Sequence, residues 1–120
     1  MRYVDLEVYK RSFAFALRVH ELTQRFPPLE QTELARQLRR SSKSIVSNLA
    51  EGTSRFALSK KEQQRFLVIA VGSADESKLW LTMSHQLRYL SDSEHQSLAA
   101  ELDEIGKMLY GLWKRHNSSL

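Results

Sequence analysis

Apolar residues recur at steps of three and four along nearly the whole chain, the period of helices that bury one face. Over residues 6–25 one stripe is Leu6, Tyr9, Phe13, Ala16, Leu17 and His20, with Asp5 placed as N-cap; Phe15, Val19, Leu22 and Phe26 form a neighbouring stripe. Pro27-Pro28 ends this helix, because proline lacks an N–H and the residue before it avoids the α region. A second helix is predicted over 29–51, with Leu34, Leu38, Ile45 and Leu49 stacked, small Ser41 and Ser42 between them, and Gly52 as punctuation. After a short connection over 53–59, Ser59-Lys60-Lys61-Glu62 has the form of a capping box and opens a third helix reaching about residue 90. Leu67, Val71, Ala74 and Leu81 make its stripe, Phe66, Ser73 and Ser84 flank it, and Ile69, Trp80 and Leu87 carry apolar surface further round. Its small residues, among them Ala70, Gly72, Ser73 and Ser77, let a neighbouring helix approach closely. Ser91-Asp92-Ser93-Glu94 is a second capping box, and Leu98, Leu102, Ile105, Leu109 and Leu112 run as one stripe behind it.

Four helices joined by short connections predict an all-α protein, an antiparallel up-down-up-down four-helix bundle forming a single domain over residues 1–120. The first and third helices carry more apolar face than a bundle interior covers. A second buried surface between subunits, in a ring-shaped homo-oligomer, is therefore expected. The competing reading is a monomer with a well-filled core and scattered surface apolars.

Composition narrows the class. The absence of cysteine removes disulfides and thiolate metal sites and suits a reducing cytoplasmic setting. No signal peptide is read at Met1, and the longest apolar run, residues 66–71, is far short of the ~20 residues of a membrane span. The formal net charge is +4, and its distribution matters more than its size. Over residues 34–61 the cations Arg36, Arg39, Arg40, Lys43, Arg55, Lys60 and Lys61 face the single acid Glu51. Arg36, Arg40 and Lys43 fall at i, i+4 and i+7, opposite the Leu34–Leu38–Ile45 stripe, with Arg39 on the shoulder. Such a ridge offers paired donors to phosphate oxygens and releases counterions on meeting an RNA or DNA backbone. Two plainer readings compete: a solvated face, or pairing of Arg39 and Arg40 with Glu51, Glu76 or another subunit's acids.

Catalytic chemistry finds little support. A di-metal bundle needs paired Glu-x-x-His motifs, and the nearest approach is Asp92-x-x-His95 at a helix start, where aspartate is expected for capping. His20 and His85 fall on apolar faces, and Glu101-x-x-Glu104 reads as solvated surface. No phosphate loop, HExxH or nucleophile elbow occurs, so no enzyme activity, metal or cofactor is expected.

Phe26-Pro27, Glu30, the run from Gln37-Leu38-Arg39-Arg40-Ser41-Ser42 to Ile45, Asn48-Leu49-Ala50-Glu51-Gly52, and the run from Phe66 through Gly72-Ser73-Ala74-Asp75-Glu76 together resemble the four-helix bundle proteins encoded in intervening sequences of bacterial 23S ribosomal RNA genes. The likeness spans nearly the whole chain, with Leu49 in place of the more usual isoleucine and Ser41 and Ser42 in place of alanines. It implies a barrel-like homopentamer of antiparallel bundles without enzymatic activity. It also implies kinship with the accessory variability protein of diversity-generating retroelements, a basic protein that works with a reverse transcriptase and nucleic acid. It marks Asn48, Glu51 and Gly52 at the end of helix two, and Ser73 and Glu76 on helix three, as a structural motif or subunit contact. From it follows the expectation that Arg39 or Arg40 pairs with Glu51 or Glu76. The functional expectation is a nucleic-acid-binding accessory oligomer acting through Arg36, Arg39, Arg40 and Lys43; the alternative is an oligomeric protein–protein scaffold with no nucleic-acid role.

Overall fold

In the computed structural model, residues 6–54 and 59–118 are described, and they form four α-helices with no strand among them. These are α1 (Glu7–Thr23), α2 (Leu34–Gly52), α3 (Lys60–Gln86) and α4 (Asp92–Ser118), with a 3-10 turn at Pro28–Thr32 before α2. Asp5 and Arg55 lie outside the described residues, as does most of the α2–α3 connection. Each helix packs on its successor and α4 returns to α1, giving an antiparallel four-helix bundle about 45 Å long. The α2–α3 packing is the most extensive and the α1–α4 packing the least.

Both capping boxes form. Glu62 N–H donates to Ser59 Oγ at 3.2 Å while Ser59 N–H donates to Glu62 Oε2 at 3.2 Å. At α4 the same exchange joins Ser91 and Glu94 at 3.1 and 2.9 Å, which leaves Asp92 as the first helical residue rather than the cap. The helix ends differ more from expectation. Pro27-Pro28 does not simply separate two helices: Pro28–Thr32 winds as a 3-10 turn and Glu33, at φ −116° and ψ −103°, breaks it from α2. Side chains hold this turn, with Gln31 Nε2 donating to the carbonyls of Thr23 and Phe26 at 2.9 Å each, and Tyr89 Oη donating to Glu30 Oε2 at 2.9 Å. Helix α3 ends at Gln86, earlier than predicted. Arg88 takes φ 66°, and Tyr89 N–H and Arg88 N–H reach back to the carbonyls of Ser84 and His85 at 2.9 Å. This is a Schellman ending, in which an arginine occupies the left-handed position that glycine normally fills.

The interior is lined by Phe15, Val19, Leu38, Ile45, Leu49, Leu67, Leu81, Leu98, Ile105 and Leu109, all nearly inaccessible. The stripes of α2 and α4 are those expected, with Leu112 half-buried, and on α3 Ala70, Ser77 and Ser84 line the core with Leu67, Ala74 and Leu81 while Val71 is half-buried. On α1 the inward one of the two expected stripes is that of Phe15, Val19, Leu22 and Phe26, extended by Val8, Ser12 and Thr23, while Phe13, Leu17 and His20 of the other are exposed. Thr23 is tolerated inside because its hydroxyl donates to Val19 O at 2.8 Å. Apolar side chains thus remain outside on α1 (Phe13, Leu17) and, in greater number, on α3 (Val68, Ile69, Leu79 and Met83) and at its C-cap, Leu87.

Candidate nucleic-acid interface

The outward line of α2 is set by its inward one. Because Leu34, Leu38, Ile45 and Leu49 are buried, Arg36, Arg40 and Lys43 must project from the opposite side, and all three are exposed. None of them enters an ion pair among the described residues. At a helical rise of ~1.5 Å per residue, Arg36 and Lys43 stand roughly 10 Å apart along the axis.

Arg39 is not part of this line. It is half-buried and turns back to the end of α1, where Nε donates to Thr23 Oγ1 at 2.8 Å and Nη2 to Thr23 O at 3.3 Å, with a further bond to Gln31 Oε1. A guanidinium here supplies donors to carbonyls that a helix C-terminus leaves free and places positive charge at the negative end of the dipole. Arg39 therefore holds the α1–α2 connection. The expected pairing of Arg39 or Arg40 with Glu51 or Glu76 is not formed within the chain: both acids are exposed and neither has an ion pair among the described residues.

The remaining motif residues act between α2 and α3. Asn48 Nδ2 donates to Ser44 O and Ser44 Oγ at 2.9 Å, Ser44 Oγ meets Ser73 Oγ at 2.8 Å, and Ser77 Oγ donates to Ser41 Oγ at 2.8 Å. Hydroxyls facing across a crossing of small residues fix its register while leaving few buried polar atoms unpaired. Gly52 has a different role from the one expected. It does not adopt positive φ; it is buried in the last turn of α2, and a Cβ there would lie 2.9 Å from Leu67 Cδ2 and 3.0 Å from Gln63 O. It is required by the close approach of α3.

Beside the α2 ridge lies an open groove of about 340 Å³, lined by Tyr9, Phe13 and Leu17 from α1 and by Lys43, Val46 and Ala50 from α2. Tyr9 and Phe13 form a tilted pair with ring centroids 6.0 Å apart. These residues belong to the apolar stripe of α1 that is surplus to the bundle interior. The signal was present in their i, i+4 spacing, but only the tertiary placement of α1 sets them next to Lys43.

The other titratable groups are explained by structure. Glu101 is no free surface acid, since Arg11 Nε and Nη2 clamp its carboxylate at 2.8 and 2.9 Å and hold its pKa below the usual value. Glu94 is pulled down to about 2 by its hydrogen bond from Arg25 and by the Ser91 backbone N–H. His85 Nε2 meets Asp92 Oδ1 at 2.6 Å, a bond that lowers the Asp92 pKa, and the His85 ring stacks on His95 at 4.3 Å. Burial, with His85 alongside, lowers the His95 pKa. Among the described residues no group of three or more histidines and acids is arranged to hold a metal ion, and no helix is long and apolar enough to cross a membrane.

Fold and surface together define a class: an antiparallel helical bundle with a serine-rich central crossing, an exposed basic line on α2, and apolar surface left outside on α1 and α3. Residues 4–111 match the model of the 23S rRNA-intervening sequence proteins, and the chain belongs to that family. It is also similar to the crystal structure, at 1.70 Å, of a protein of unknown function from the S23 ribosomal protein family of Bacteroides thetaiotaomicron VPI-5482. That likeness has 28% identity and a TM-score of 0.81, over 95% of this chain and 99% of the other. No curated protein matches the chain.

Proposed function

We propose that this protein is a non-enzymatic, cytoplasmic accessory protein that self-associates and binds the phosphate backbone of RNA or DNA through α2. The observation that carries this reading is the line of Arg36, Arg40 and Lys43, exposed and without an ion pair among the described residues. Cations that stabilise a fold are usually paired; three along one helix line without a carboxylate partner suit a polyanion. Arg39, part of the ridge as read from sequence, belongs instead to the α1–α2 connection. Self-association draws support from the α3 face, where Val68, Ile69, Leu79 and Met83, with Leu87 at the C-cap, are exposed around the small Gly72. A ring, with the pentamer implied by the family resemblance, would repeat the basic line around an axis and strengthen weak contacts through multivalency.

The same α3 face favours a second reading, an oligomeric scaffold that recognises another protein. Binding to generic RNA and duplex DNA at low salt separates the two. The double variant Arg36→Glu plus Arg40→Glu is expected to weaken binding by at least about tenfold with helix content unchanged, since each phosphate contact carries part of the electrostatic affinity. Binding that is absent in the wild type, or indifferent to the double variant, rejects the nucleic-acid reading in favour of the scaffold.

A further inference from the structure

We infer that the anionic partner is single-stranded, and that the groove between α1 and α2 takes its unpaired bases while the α2 cations take its phosphates. The inference rests on the nucleic-acid reading above and deepens it. Three observations carry it. First, Lys43 belongs to both features: it continues the line of Arg36 and Arg40, and it lines the groove beside Tyr9, Phe13 and Leu17. A strand whose phosphates follow the basic line is thereby brought to the mouth of an apolar cleft. Second, the groove is walled by aromatic rings. Phe13 keeps 46% of its surface accessible although it sits on a helix with a complete inward face, so the fold itself does not require an aromatic side chain there. Third, the groove is apolar except for Lys43, Ser47 and the hydroxyl of Tyr9. This is the combination of a cationic track with stacking surfaces by which proteins hold unpaired strands without reading their sequence.

A duplex fits this site less well. Its bases are stacked inward and cannot enter the groove, so it engages the cations alone. A second copy of this chain would bring apolar side chains to the groove, but it carries the same net charge of +4 and repeats the same unpaired cations, with the exposed Glu51 and Glu76 as the acids it could set against them. Charge complementarity thus favours the strand.

The test compares fluorescently labelled single-stranded RNA and DNA with the corresponding duplexes, using the full chain at fixed ionic strength. Single strands are expected to bind about tenfold or more tightly than duplex. Phe13→Ala is expected to remove most of that preference while leaving duplex binding unchanged, because one stacked base is worth roughly a tenfold change in affinity. Phe13→Leu keeps the apolar bulk without the ring face and is expected to behave like Phe13→Ala, whereas Phe13→Trp retains the preference. Equal binding of single strand and duplex, with sensitivity to Arg36→Glu plus Arg40→Glu, overturns the groove assignment and spares the backbone reading. Binding to neither form overturns both. If Phe13→Ala instead changes the subunit number measured by light scattering, the groove is a contact between copies and the inference falls.

Discussion

Glycine and arginine at two positions show how individual residues constrain this fold. Gly52 lies where a Cβ would press on Leu67 and on the Gln63 carbonyl, whereas the same atom built at Gly72 or Gly106 meets nothing within 4 Å. Gly52→Val is therefore expected to cost about 1–3 kcal/mol through overpacking. Gly72→Ala, in an exposed helix interior, is expected to raise stability by up to about 1 kcal/mol. Urea melts of the two variants check both signs, and equal effects would refute the close-approach account. Arg88 presents the reverse case, a side chain held at φ 66° in a position suited to glycine. Arg88→Gly should stabilise the α3 ending by roughly 0.5–1 kcal/mol, since the left-handed conformation is unfavourable for a residue bearing a Cβ. A lower melting temperature for that variant would indicate that the arginine side chain contributes contacts outweighing the strain. Much at this scale was hidden in the sequence. N-x-A-E-G is visible as a motif, but that its glycine admits α3 depends on Leu67 and Gln63, distant in sequence, and that its asparagine braces Ser44 matters because Ser44 meets Ser73 across the crossing.

At the scale of elements, the seams of the bundle differ in kind. The α2–α3 seam is close-packed and bridged by serines, while α1–α4 is the least extensive and is tied by charge: Arg11 to Glu101, Arg25 to Glu94, and Arg18 Nη1 to Ser97 Oγ at 2.8 Å. The carboxylates of this seam have depressed pKa values, with Glu94 at about 2. A carboxylate whose pKa falls on folding stabilises the folded state above its unfolded value, here 4.5, and that contribution is lost as pH drops through its folded one. Stability should thus decline from about pH 4.5 down to about pH 2, and Glu94→Gln should flatten part of that decline; thermal melts across this range that show no difference between wild type and variant would contradict the assignment. The helices themselves were legible because apolar residues recur at helical spacing and both capping boxes are explicit. On α1 both apolar stripes were legible, but not which of them faces inward. Ser12 and Thr23 occupy buried positions beside Phe15 and Val19, so the inward face is no more apolar than the one carrying Phe13 and Leu17, which faces outward. The 3-10 turn after Pro28 was likewise invisible, since it is held by Gln31, Glu30 and Arg39 through side-chain bonds that local spacing does not encode.

The whole molecule is a bundle with its basic line on α2, apolar surface beside that line on α1, and a larger apolar face on α3. The excess of apolar surface on the first and third helices was readable from sequence, as was the exposure of Arg36, Arg40 and Lys43. What sequence could not supply was their relation: Arg39 leaves the line for the α1–α2 connection, and the aromatic pair of α1 joins it beside Lys43. The central claim is electrostatic, and the dependence of affinity on salt tests it most directly. For a single-stranded RNA titrated between low and moderate salt, log affinity is expected to fall linearly with log salt concentration, with a slope of about −0.7 for each phosphate neutralised. Three cations per subunit give a slope near −2 or steeper, reduced by about 0.7 for each of Arg36→Glu and Arg40→Glu. A slope near zero, or one that the two substitutions leave unchanged, would contradict the account.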